Sequence, residues 1–326
     1  MAWAFYRNGI DENTFIIYRK GFLALDSGTR PEPGSHLFQY YCRTVAHNGV
    51  LIRREGEVFP PYWGRPAPGE PAQPVPNDGG MNSMTGAQVR AFYTCPDFTY
   101  IASDATACYS SNKCELALRQ FMHIQPNFFV IFDRVKSVRP EYTKTWLLHT
   151  AREPRIEGVM FAAEQDGGKI FCRTFLPTNA VLAGIGGPGK EFWSDGRNWP
   201  LPTGSARWVR WTEPMGAWRV EVSPAAQEKE TIFLHLIEAG LAGEKETTTN
   251  ARVVEAGDRV GLEFAANGTT NRVLFARRGE PSCAIVLTGR RQLSLEPGNT
   301  VAPQAGWADE DGKQATRAIH PGLLQE

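Results

Sequence analysis

The sequence has no apolar run long enough to cross a bilayer. Residues 128–132 are among the longest such runs, where a spanning helix needs about 20 residues. It also lacks an excess of either charge, with 35 Lys+Arg against 35 Asp+Glu. The basic footprint that non-specific nucleic-acid binding requires is therefore missing. Neither a membrane nor a nucleic acid is an expected partner. The six cysteines (Cys42, Cys95, Cys108, Cys114, Cys172, Cys283) form no CxxC pair and no zinc-ribbon spacing. They are too few in 326 residues for a disulfide scaffold, and they assign no compartment. Residues 1–10 lack the charged start and apolar centre of a signal peptide.

Glycine and proline are in surplus, at 32 and 23 residues, which points to many turns between short elements. Of the 35 basic residues 26 are arginine. The planar guanidinium pairs bidentately with carboxylates and would suit an acidic ligand, although a GC-rich genome gives the same ratio. Short β-branched and aromatic runs bounded by Gly, Asp or Pro recur along the chain, at 13–18, 22–25, 45–52, 98–103, 116–124, 128–135, 143–149, 169–175, 206–211, 218–222, 231–236, 259–264 and 272–275. No stretch keeps a helical apolar period over 11 or so residues. The expected fold is all-β, with large antiparallel sheets packed as a multi-sheet sandwich and under about a tenth of residues helical. Residues 60–76 hold seven prolines and predict an irregular loop. The simplest division is one β-sandwich domain over 1–287 and a loose tail over 288–326.

Two segments carry candidate chemistry. In LALDSGTR (23–30), Asp26 ends an apolar strand before Ser-Gly. There it reads either as a turn residue bonding local N–H groups, the commoner case, or as a metal ligand mounted on a rigid strand end. In HLFQYYCRTVAHNGVLI (36–52), His36, Tyr40, Tyr41, Arg43, His47 and Asn48 fall within 13 residues. On a strand of period two, Tyr41, Arg43, Val45 and His47 share one face and could converge on one ligand. A polar sheet face with a buried histidine is the plainer alternative. The glycines of GIGGPGKEF (184–192) lack the following GKS/GKT and helix of a nucleotide site.

These segments resemble the C-terminal β-sheet part of the heparinase II/III family of polysaccharide lyases. The likeness runs through NTFIIYRKGFLALDSGT, YYCRTVAHNGVLI, RQFMHIQPNFFVIFDRVKSV, KTWLLHT and GIGGPGKEFWSDGRNWP, in the family's order over about 11–200. The strand ending in LALDSG followed by RTxAHN is its most specific element. The resemblance implies eliminative cleavage of an acidic, uronic-acid-containing polysaccharide in a periplasmic or secreted setting, in a cleft shared with a helical toroid. It places Asp26 and His47 at a zinc site. Within the 36–48 cluster, Tyr41, Arg43 and Asn48 are the expected substrate-binding residues, and His36 and Tyr40 the expected proton-transfer groups. The family's His-x-His element has no match, because Arg7 and Gly9 occupy those positions. Zinc is thus expected to be weakly held or lost, and the chain to be an incomplete lyase by itself. The alternatives are a non-catalytic module that binds acidic polysaccharide and a structural partner of a separate helical domain.

Overall fold

The computed structural model describes residues 11–29, 36–59, 74–201, 215–266, 268–287 and 292–295. Strands account for 52% of residues and helical turns for 5%, so the fold is all-β. Its centre is an eight-stranded antiparallel sheet. The strand order is Gln88–Thr94, Phe98–Asp104, Cys114–Ile124, Phe128–Ser137, Glu230–Leu241, Gly168–Leu176, Met160–Gln165 and Arg155–Glu157. A four-stranded sheet (Ala180–Gly186, Trp218–Pro224, Thr143–Thr150, Val50–Arg53) packs on one face of it. A five-stranded meander (Arg252–Ala256, Arg259–Ala266, Thr269–Ala276, Cys283–Leu287, Gln292–Leu295) packs on the other.

Side-chain alternation explains this three-layer stack. In Phe128–Ser137, Phe129, Ile131 and Val135 enter the core shared with the four-stranded sheet, while Phe128, Val130 and Phe132 enter the core shared with the meander. A strand covered on both faces must be apolar at nearly every position, which is why FFVIF reads as an unbroken run. Among the described residues the meander is covered on one face only. In Arg259–Ala266, Val260, Leu262 and Phe264 point inward, while Glu263 is held outside by Arg252 and Arg272. Each half-covered strand accordingly alternates.

Three expectations need correction. The 45–52 strand is shorter, beginning at Val50, because residues 37–46 form helical turns. The run at 13–18 contributes only Ile17–Tyr18 to a small hairpin with Phe22–Ala24. The meander continues past residue 287, since Gln292–Leu295 pairs with Cys283–Leu287, so the β-structure enters the stretch assigned to a loose tail. The rest of that tail, residues 60–73 of the proline-rich loop and the 206–211 run lie outside the described residues, as do Arg7 and Gly9. The glycine-rich 186–189 stretch is a close backbone approach. Gly187 has a φ of +74°, and a Cβ there would sit 2.7 Å from the Trp218 ring.

Candidate functional site

The segment carrying most candidate residues is not a strand, so the predicted common face of Tyr41, Arg43, Val45 and His47 does not exist. Leu37–Tyr41 forms a π-turn closed by Cys42 N–H donating to Leu37 O (2.8 Å), and Thr44–Ala46 forms a 3₁₀ turn. The reason lies in packing. The outer face of the four-stranded sheet offers Leu51 and Leu147, and Tyr40, Val45, Ala46, Phe192 and Trp199 cover it as a small third core. Two successive turns bring residues 40, 45 and 46 to one surface, whereas an extended strand would separate them.

The turns deliver His47 to Asp26. Ser27 N–H donates to Ala46 O (2.8 Å) and Leu25 N–H to His149 O (3.3 Å), which pins Asp26 between the 3₁₀ turn and the four-stranded sheet. His47 Nδ1 then lies 3.1 Å from Asp26 Oδ1. The imidazole is buried, whereas the carboxylate is 32% exposed and forms the rim of the site. Neither ring nitrogen of His47 has a well-aligned hydrogen bond, so the pair is an ion pair more than a directed bond. Burial opposes a charged imidazole, but the Asp26 carboxylate overrides it and holds the His47 pKa above its ordinary value, with Asp11 adding to the effect. Asp11 is a member that sequence reasoning missed. Burial raises its own pKa, His47 lowers it and Asp26 raises it, so all three groups share one electrostatic neighbourhood. No local motif marks Asp11, since it lies 15 residues before Asp26 in a stretch without regular structure.

Asn48 and His149 form the floor. The Asn48 side chain is fully buried, donates to Phe15 O (2.8 Å) and Leu25 O (3.3 Å), and accepts from His149 N–H (2.7 Å). It is engaged in the frame on every described side. Burial, Arg219 and His47 together push the His149 pKa well down, so that ring stays neutral. Below it, Arg119 clamps Asp133 through two bonds (2.7 and 2.9 Å) and donates to Asn48 O (2.7 Å), tying the site to the central sheet.

The remaining predicted residues are held elsewhere. His36 is buried, donates from Nδ1 to Trp199 O (2.7 Å), and burial lowers its pKa to about 4. Tyr40 is buried and donates to Ser27 Oγ (3.1 Å), and burial raises its pKa. The Arg43 guanidinium is buried, pairs with Asp78 (2.7 Å) and stacks over Phe59 at 4.2 Å. Beside it Lys113 pairs with Glu57 (2.8 Å) and faces the same ring at 4.8 Å. Two buried ion pairs thus flank Phe59 and hold both ends of the proline-rich loop. Tyr41 is half-buried with its ring 6.3 Å from that of His47, so among the predicted groups it shares the rim with Asp26.

The implied zinc can be tested on the donor set. Asp26 and His47 supply two donors, and no group of three His, Cys, Asp or Glu among the described residues is arranged to hold a metal ion. Zinc sites use three or four protein ligands, so the described residues alone do not supply a set that fits the ion.

The sequence matches no protein-family model and no curated protein. Its fold has counterparts among solved structures. A heparinase III gene product superposes with a TM-score of 0.55 at 11% identity, over 90% of this chain and 38% of its own. A mutant of heparan sulfate lyase HepC from Pedobacter heparinus gives 0.53 at 12%, over 89% and 37%. A further heparinase III gives 0.52 at 15%, over 89% and 36%. At such identities the likeness is one of fold. The chain spans little more than a third of the length of these structures, and over about nine-tenths of its own it has the β-sandwich fold that forms part of them.

Proposed function

We propose that this chain is the β-sandwich part of a polysaccharide lyase that acts by β-elimination on uronic-acid-containing polysaccharide, and that it is close to inactive alone. The observation that carries the reading is the Asp26–His47 pair, a buried imidazole behind a partly exposed carboxylate with Tyr41 at its rim. Elimination needs a group to neutralise the uronate carboxylate, a base for the C5 proton and an acid for the departing O4 oxygen. On this reading His47 and Tyr41 serve one or two of these roles. His36 and Tyr40, behind them, are covered by the third core. A helical toroid, on this or another chain, would supply the missing groups and the opposite wall that holds the sugar in a reactive pose. The internal engagement of His36 and Tyr40, the expected proton-transfer groups, favours a second reading, a non-catalytic module that binds acidic polysaccharide.

The test is release of unsaturated uronate, followed by ultraviolet absorbance, from uronate polysaccharides with and without an added toroid domain. The chain alone should run at least about a thousandfold below an intact lyase, since each missing acid or base typically costs ~10²–10⁴ in rate. Robust release by the chain alone, abolished by His47→Ala, would refute the incomplete-lyase reading. Binding without elimination under every condition would leave the module.

A further inference from the structure

A surface cavity lies where Arg53 ends one strand of the four-stranded sheet and Thr143 begins its neighbour. It is a cavity of about 600 Å³ lined by Arg53, Arg54, Glu55, Arg139, Glu141 and Tyr142 among others. That volume is in the range of small-molecule sites and has room for a short run of sugar rings. Its three arginines are not equivalent. Each guanidinium nitrogen of Arg53 is engaged, with Nε on Glu55 (2.8 Å), Nη1 on Asn77 O (2.8 Å) and Nη2 on Asp195 (3.0 Å). Arg139 reaches Glu141 only at 3.6 Å and is largely exposed. Arg54 has no ion pair with any described residue, and its Nε is buried without a hydrogen-bond partner. Its backbone is nonetheless held, because Arg54 O accepts from Glu57 N–H (3.3 Å) and Asn77 Nδ2 (2.8 Å).

A buried guanidinium donor with no acceptor is costly to maintain unless an acceptor arrives from outside. Its planar fork matches a carboxylate or a sulfate. We propose that this cavity is a distal subsite for an acidic saccharide, with Arg54 as the principal anion ligand and Arg139 as its second. The hairpin of Trp193–Ser194 and Arg197–Asn198 connects it to the candidate site. Asp195 in that hairpin holds Arg53, and Trp199 just beyond it packs over Tyr40 and accepts from His36. One acidic chain could therefore run from the cavity past the hairpin toward Asp26. The inference rests on the chain's handling acidic polysaccharide, and not on elimination.

The experiment is calorimetric titration of the full chain with a sulfated uronate hexasaccharide, an unsulfated uronate hexasaccharide and a neutral hexasaccharide. Circular dichroism of each variant serves as the folding control. Arg54→Ala should weaken binding of the acidic ligands about tenfold, and Arg54→Lys, which keeps the charge but loses the fork, should recover only part of it. Arg252→Ala, on the outer face of the meander and remote from the cavity, should leave binding within about twofold. A preference for the sulfated over the unsulfated ligand would identify sulfate as the anion, and equal binding would identify the carboxylate. Affinity unchanged by Arg54→Ala, equal affinity for the neutral sugar, or no binding at all would overturn the subsite. Binding that depends on Arg54, in a chain that yields no unsaturated product even with a toroid, would sink the lyase reading alone.

Discussion

Asn48 gives the sharpest test of whether a polar residue in this region serves the ligand or the frame. Replacing it by alanine removes two donated bonds, to Phe15 O and Leu25 O, and the acceptor of His149 N–H, in a place with no solvent access. Each such bond is worth about 1 kcal/mol net, and each buried partner left behind costs about 1–3 kcal/mol. Local relaxation recovers some of that, so Asn48→Ala should cost roughly 3–5 kcal/mol. With about 2.1 cal/mol/K of unfolding entropy per residue, a protein of this size loses roughly 4–7 °C in Tm. Asn48→Asp should be worse, because it keeps the acceptor but loses both donated bonds and places a fully buried carboxylate near that of Asp26. Thermal melts by circular dichroism check the size, and titration with acidic oligosaccharide checks selectivity. A variant that melts within about 1 °C of the parent yet no longer binds sugar would refute the structural account and put Asn48 on the ligand.

Three further outcomes are expected. The raised His47 pKa means that its pairing with Asp26 stabilises the fold fully below pH 6.5 and that this contribution is lost as pH rises through the folded-state value. Asp26→Asn should therefore destabilise at pH 5.5 and converge with the parent at alkaline pH, and equal urea midpoints at both ends would contradict the ion pair. His36 behaves in the opposite sense. Its pKa near 4 makes the unfolded chain bind the proton first, so stability should fall as pH drops from 6.5 towards 4, and His36→Phe should flatten that slope in urea titrations. Lys113→Met leaves Glu57 buried without its cation and should cost roughly 3–5 kcal/mol, while the double change Lys113→Met with Glu57→Leu should recover most of it. A double variant no better than the single would show that the pair is not an isolated unit.

The strands were legible because burial imposes a period that side chains display. Phe128–Ser137 shows it as an unbroken apolar run, and Arg259–Ala266 as alternation. The turns at 37–46 were not legible, since YCRTVAH alternates in chemistry as well as any strand does. Its true register is set by a core of seven residues from four chain segments. The partner of Arg43 was hidden for a related reason. Asp78 lies 35 residues away across the proline-rich loop, and no local spacing announces it. Asp26 and His47 could be paired only through a resemblance. Their 3.1 Å approach depends on backbone bonds from Ser27 to Ala46 and from Leu25 to His149, which no composition or period encodes.

The central sheet, covered on both faces, limits how this protein can be cut. Ending the chain before Arg252, to isolate the Asp26 neighbourhood for study or grafting, would strip the meander away. Phe128, Val130, Phe132, Leu234 and Leu236 would then face water as a continuous oily plane. Such a plane invites self-association, and an excised fragment should precipitate or dimerise before its chemistry could be measured. A soluble minimal version would need polar replacements on those alternate positions only, because the intervening residues belong to the other core.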